Sequence, residues 1–198
     1  MIDTLSPPKR AARVRPLAHC ALLATLAGLL PAHGAKAGDA FEPSSVFVQA
    51  GSAGETTALG AGLSWDLPYR WTLGPGELGS YLELSYARWQ IRAGDRADLA
   101  RLSQFALVPV LRYRGDGGAS PWFVEAGLGL TATSSLYRTA DRRFSTRFNF
   151  GTHLGVGRSF GERRQHELSL RLEHFSNAGI RHPNPGENFV QLRYAYRF

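Results

Sequence analysis

Residues 187–198 read Glu187-Asn188-Phe189-Val190-Gln191-Leu192-Arg193-Tyr194-Ala195-Tyr196-Arg197-Phe198. Leu192, Tyr194, Tyr196 and Phe198 share one parity, and in an extended chain one parity is one face, because successive side chains point to opposite sides. The same alternation recurs upstream. In 164–176, Leu168, Leu170 and Leu172 oppose Glu167, Ser169, Arg171 and Glu173. In 144–160, Phe148, Phe150, Thr152, Leu154 and Val156 oppose Arg147, Asn149, Gly151, His153, Gly155 and Gly157. In 120–133, Trp122, Val124, Ala126, Leu128 and Leu130 oppose Phe123, Glu125, Gly127, Gly129 and Thr131. Segments 44–53, 56–66, 79–92 and 103–114 complete a set of eight, separated by breaks rich in Gly, Asp, Pro or Arg. Helical periodicity is convincing in none of them. Eight antiparallel strands in a chain of this length suit a closed barrel.

Alternation alone does not say which face is outside, since small and charged faces sit as easily in water as in a lumen. Three other features point to a membrane. An alternating aromatic strand ending at Phe198 resembles the closing strand of bacterial outer-membrane barrels. Trp65, Trp71, Tyr81, Trp122 and Tyr137 fall near predicted strand ends, where an aromatic girdle meets the lipid interface. The strands are long enough to cross a bilayer when tilted. The expected fold is all-β: an eight-stranded antiparallel transmembrane β-barrel of outer-membrane type. Its lumen is expected to be filled by Arg147, Glu125, Arg171, Glu173 and Arg193, leaving no pore. Arg88, on the parity of Leu82, Leu84 and Tyr86, implies a bulge or the strand's exit from the bilayer, and Pro109 implies a bulge.

Composition narrows the function classes. The chain has 198 residues, 43% hydrophobic and 20% charged, with mean hydropathy −0.21. Its one apolar run, Ala18 to Leu30, is shorter than the roughly 20 residues a spanning helix needs. That run follows Lys9, Arg10, Arg13 and Arg15 and precedes Pro31 and Ala35-Lys36-Ala37, so residues 1–37 read as a cleaved secretory signal and 38–198 as the barrel. Cleavage leaves 161 residues with 18 arginines, no lysine and 15 acidic groups, a net charge of +3 against +7 for the whole chain. The arginines are scattered, which argues against nucleic-acid binding. Cys20 lies in the signal, so the mature chain is expected to hold no disulfide, thiolate metal site or cysteine nucleophile. The absence of lysine excludes Ser-Lys and Schiff-base chemistry there.

Four histidines follow residue 37. His153 reads as a hydrogen-bonded lumen residue, His166 as a turn residue, and His182 precedes Pro183 in a loop. His174 differs, because Ser176 lies two residues on and therefore on the same face, roughly 6.5–7 Å away at Cα. Both share the parity of Leu168, Leu170 and Leu172 and project towards lipid. An even-stranded barrel with both termini in the periplasm puts the end of the seventh strand at the outer surface. A serine beside a histidine at that depth has the geometry of a nucleophile with its general base, and the substrate would be a lipid ester. The acid that fixes the imidazole is sought in Glu173 or Glu187. Alternation turns Glu173 into the lumen, and Glu187, at the start of the eighth strand, is preferred.

The run Arg171-Leu172-Glu173-His174-Phe175-Ser176-Asn177-Ala178-Gly179-Ile180, followed by Pro183-Asn184-Pro185-Gly186-Glu187-Asn188-Phe189, closely resembles the signature of the PagL-type lipid A 3-O-deacylases. The resemblance implies an outer-membrane serine esterase that removes the ester-linked 3-hydroxyacyl chain at position 3 of lipid A, with lipopolysaccharide as substrate and membrane lipids as surroundings. It implies His174 as base, Ser176 as nucleophile and Glu187 as acid, with Asn177, Gly179 and Asn184 as oxyanion-hole candidates. No metal or other cofactor is expected. Arg138, Arg142 and Arg143, in the loop before the sixth strand, and Arg181 are candidates for the lipid A phosphates, and read equally well as a solvated loop. The oligomeric state stays open, a homodimer included. The competing readings are an outer-membrane phospholipid esterase or acyltransferase, a non-enzymatic small barrel, and a soluble ligand carrier.

Overall fold

Eight strands form in chain order: β1 (Ser45–Ala53), β2 (Thr56–Leu73), β3 (Gly76–Arg92), β4 (Leu99–Arg114), β5 (Trp122–Thr133), β6 (Phe148–Phe160), β7 (His166–Ser176) and β8 (Glu187–Arg197). Each pairs antiparallel with the next, and β1 closes onto β8. This computed structural model describes residues 42–92 and 99–198. The expected signal, residues 1–37, lies outside the described residues.

Burial decides what alternation left open. Leu59, Leu154 and Leu172 are 67%, 65% and 62% exposed, while Glu125, Arg171 and Arg193 are 4%, 3% and 3% exposed. Ionic groups line the inside and an apolar band faces out, the inverse of a water-soluble barrel and the pattern of one that sits in lipid. Inside, the charges neutralise one another. Arg171 donates to Glu125 at 2.7 Å and to Glu83 at 3.1 and 2.8 Å. Arg193 bonds to Glu83, and Arg112 bridges Glu125 and Glu167. Paired and hydrogen-bonded in this way, the charges escape most of the cost of burial.

The barrel has two unlike ends. Both ends of the barrel chain and the connections 74–75, 115–121 and 161–165 lie at one, the terminal end. There a hollow of about 380 Å³ opens into the lumen, bordered by Asp66, Arg70, Arg114, Glu167 and Arg197 among others. Loops 134–147 and 177–186 lie at the other, the long-loop end. Its mouth is filled by aromatics: Trp89 packs on Tyr137, Phe175 and Phe189 at ring distances of 5.5, 5.2 and 4.6 Å.

Several local expectations are corrected. Arg147 is exposed ahead of β6 and does not fill the lumen, because β6 begins at Phe148. Tyr81 and Tyr137 are buried inside the barrel, whereas Trp71 and Trp122 are exposed on the wall near the terminal end. No bulge occurs at Arg88: β3 and β4 stay in one register from Glu77 to Arg92, and the Arg88 guanidinium reaches Ser103 Oγ at 2.9 Å. Pro109 interrupts the ladder to β5 without changing its register. The register shift falls instead between Leu67 and Arg70 of β2, around Pro68, a residue that cannot donate to a ladder.

Candidate active site

β7 reaches the long-loop end with two rows of side chains. Glu173 and Phe175 are buried within, while His174 is exposed and Ser176 half-buried on the outer wall, in line with Leu168, Leu170 and Leu172. The pair therefore lies on the lipid-facing surface, as the period of two requires. In the β7–β8 ladder His174 stands directly opposite Asn188, and its Nδ1 lies 2.7 Å from Asn188 Oδ1. A carboxamide oxygen can only accept, so Nδ1 donates to it, and the tautomer that this contact selects in a neutral imidazole is the one with its lone pair on Nε2. Gly186 covers that edge of the ring. Its φ is +66°, and a methyl group there would meet His174 Cε1 at 2.6 Å and Nε2 at 3.2 Å. Only glycine allows both the backbone turn and the approach.

Glu187 does not meet His174. It pairs in register with Phe175 and, like Phe175, turns into the lumen, 6% exposed. Its carboxylate accepts Tyr137 O–H at 2.8 Å and the Asn188 N–H at 3.1 Å, and lies 3.5 Å from Arg142. The alternation that turned Glu173 inward turns Glu187 inward too. Asn188 is the residue that sequence reasoning missed, and the outward parity of Leu192, Tyr194 and Tyr196 was the signal that could have found it. Tyr137 has its pKa raised by burial and by the neighbouring Glu187 carboxylate, so it remains a phenol and a donor.

The profile of the family described as lipid A 3-O-deacylase (PagL) matches residues 59–197. The chain is 32% identical to lipid A deacylase PagL of Pseudomonas aeruginosa over 172 residues, 87% of this chain and 94% of that protein. It is 41% identical to lipid A deacylase PagL of Bordetella bronchiseptica over 95 residues, 48% of this chain and 50% of that protein. The chain belongs to the PagL family. The crystal structure of the outer membrane enzyme PagL superposes with a TM-score of 0.66 at 28% identity, covering 78% of this chain and 99% of that one. The PagL relatives and the barrel together point to the bacterial outer membrane.

In this PagL-family chain the loop after Ser176 is organised by Asn177. That side chain is 2% exposed, donates to Ser145 Oγ at 3.0 Å and to the Arg181 carbonyl at 2.8 Å, and accepts the Gly179 N–H at 3.0 Å. The Asn177 N–H is itself given to Asn184 Oδ1 at 3.0 Å. Asn177 and Gly179, both oxyanion candidates, thus have their donors engaged within the loop. Asn184 differs: its oxygen is pinned to the peptide that follows Ser176, and its amide nitrogen has no partner among the described residues. The four candidate arginines also divide. Arg142 is committed inward, donating to the Gly186 carbonyl at 2.8 Å. Arg138, Arg143 and Arg181 are exposed, and among the described residues no carboxylate pairs with them. The terminal-end hollow touches none of the candidate site residues.

Proposed function

We propose that this chain hydrolyses the ester-linked 3-hydroxyacyl chain at position 3 of lipid A by a serine-esterase mechanism built on Ser176, His174 and Asn188. One observation carries the reading: a histidine with its Nδ1 hydrogen-bonded, and with no partner for Nε2 among the described residues, shares the lipid-facing wall of a PagL-family barrel with a serine two residues on. Ser176 Oγ attacks the ester carbonyl carbon while its proton passes to His174 Nε2. The negative charge on the carbonyl oxygen is met by the Asn184 amide N–H. The bond to the sugar oxygen breaks, that oxygen takes the proton from Nε2, and an acyl-serine remains. Water, deprotonated by the same imidazole, then releases the fatty acid. Asn188 fixes the tautomer as the acid of a triad does, without contributing its negative charge.

The short connections of transmembrane barrels face the periplasm and the longer loops the exterior, so the site is assigned to the outer leaflet. Lipid A presents phosphates there, and the exposed Arg138, Arg143 and Arg181 are the side chains we assign to them. Mass spectrometry of lipid A incubated with detergent-refolded protein tests the reading, with Ser176→Ala as control. Loss of one 3-hydroxyacyl chain in the wild type alone is expected. Unchanged lipid A over a folded barrel would overturn the reading, and acyl loss from added phospholipid instead would redirect it to a phospholipid esterase.

A further inference from the structure

Glu187 is a buried carboxylate that the catalytic steps above do not use, yet both residues flanking it touch the catalytic imidazole. Gly186 lies against Cε1 and Nε2, and Asn188 holds Nδ1. Glu187 faces the other way, into the barrel mouth, where Tyr137 is fully buried against Trp89 and Phe144. A carboxylate accepts only, so the Tyr137 O–H is directed at Glu187, and Thr56 Oγ1, 2.8 Å from the phenol oxygen, must donate to it. Arg142 closes the arrangement with 2.8 Å to the Gly186 carbonyl and 3.5 Å to Glu187. Loop 134–147 therefore grips the start of β8 from behind at two adjacent residues, and the opening residue of β2 grips the loop.

We propose that Glu187 is a positioning residue: anchored by Tyr137 and Arg142 inside the barrel mouth, it holds Gly186 and Asn188 against His174 on the outer wall. The inference rests on the esterase reading for its effect on rate, but its geometry can be tested without it. Charge-assisted hydrogen bonds are short and geometrically specific, and small displacements at a reacting pair are costly in rate.

The test compares Glu187→Ala, Glu187→Gln and Tyr137→Phe in the refolded full barrel, with two readouts. The first is kcat and KM on lipid A per folded barrel. Glu187→Ala is expected to lower kcat by about tenfold to a hundredfold with KM little changed, since ligand-orienting partners behind a reactive group act at about that scale. Glu187→Gln, which can still accept the Tyr137 O–H, is expected to recover most of the rate, and Tyr137→Phe to fall between. The second readout is the His174 Nδ1 proton resonance, protected by Asn188 in the wild type and in Glu187→Gln and lost to exchange in Glu187→Ala. Wild-type kcat and an intact resonance in Glu187→Ala would overturn the proposal, as would a Gln variant as impaired as Ala. If the wild type proves inactive while the resonance still depends on Glu187, the esterase reading fails and the positioning role stands.

Discussion

Along β7 the inward row, Glu167, Ser169, Arg171 and Glu173, and the outward row, Leu168, Leu170, Leu172, His174 and Ser176, are under opposite demands. Arg171 alone makes four hydrogen bonds to Glu125, Glu83 and Tyr81, and Glu167 accepts from Arg112, Arg114 and Ser159. The outward row opens at the terminal end with His166, whose Nδ1 lies 2.7 Å from the Tyr194 hydroxyl, is apolar through Leu168, Leu170 and Leu172, and ends in His174 and Ser176, where His174 makes one described side-chain hydrogen bond. Inside the barrel a polar group without a partner is costly, and most lumen groups are paired, with Gln49 Oε1, His153 Nε2 and Gln191 Oε1 as exceptions among the described residues. On the lipid side polar groups are costly everywhere except near the interface, so those present there have reason to be chemical rather than structural. Under the proposed function, period-two geometry puts stability and reactivity on the same strand without letting either disturb the other.

The sharpest break of that comparison is Ser176→Ala, expected to cut deacylation at least about a thousandfold, as loss of a nucleophile does, while heat-modified electrophoretic migration shows the barrel folded as before. Next is the inner row. Arg171→Met leaves Glu83 to Arg193 and Glu125 to Arg112, with one cation fewer among them, and removing one member of a buried ionic cluster costs about 3–5 kcal/mol. Thermal unfolding in detergent should report that loss, with activity per folded barrel retained. If Arg171→Met abolished activity in barrels that remain folded, the two rows would not be independent.

How much of this was legible follows from the same geometry. All eight strands were readable because side chains alternate along every one of them. β2 runs seven residues past its expected end at Asp66, since Pro68 and Arg70 break the pattern that the hairpin to β3 nonetheless sustains through a bulge. Which row faces lipid was not readable from alternation alone and is decided by burial, with Leu172 on the outer wall and Arg171 enclosed. That His174 and Ser176 share the outer wall was legible from their spacing. Asn188 was legible in principle, because parity along β8 puts it on the wall and Glu187 in the lumen, but a carboxylate was sought on chemical grounds and the parity was not applied. The arrangement of the loop was not legible: Asn177 organises the turn through contacts with Ser145 and Arg181, and Asn184 turns its oxygen to the Asn177 N–H, which no local pattern encodes.

Gly186→Ala is expected to act mostly on the outer row. It demands a left-handed backbone from an alanine, at about 1–2 kcal/mol, and drives a methyl group into the imidazole edge. A displacement of the base from the serine should lower kcat by about a hundredfold. Equal kcat for the variant would mean that His174 reaches Ser176 from a different rotamer than the one Gly186 covers.

The smallest change has the opposite sign. Asn188→Asp keeps an acceptor on His174 Nδ1 and adds the negative charge that a carboxylate brings to the imidazolium formed as Ser176 attacks. Stabilising that cation should raise kcat by about tenfold, equivalent to about 1.4 kcal/mol. The same charge favours protonated His174 in the resting enzyme, so the acidic limb of the pH–rate profile must move to higher pH. The two effects are coupled by one hydrogen bond: a faster enzyme with an unmoved limb would locate the gain elsewhere. Asn188→Leu, which keeps the γ-branched shape and removes the acceptor, should slow the reaction instead. A Leu variant as fast as wild type would show that the 2.7 Å contact orients nothing that matters to the reaction.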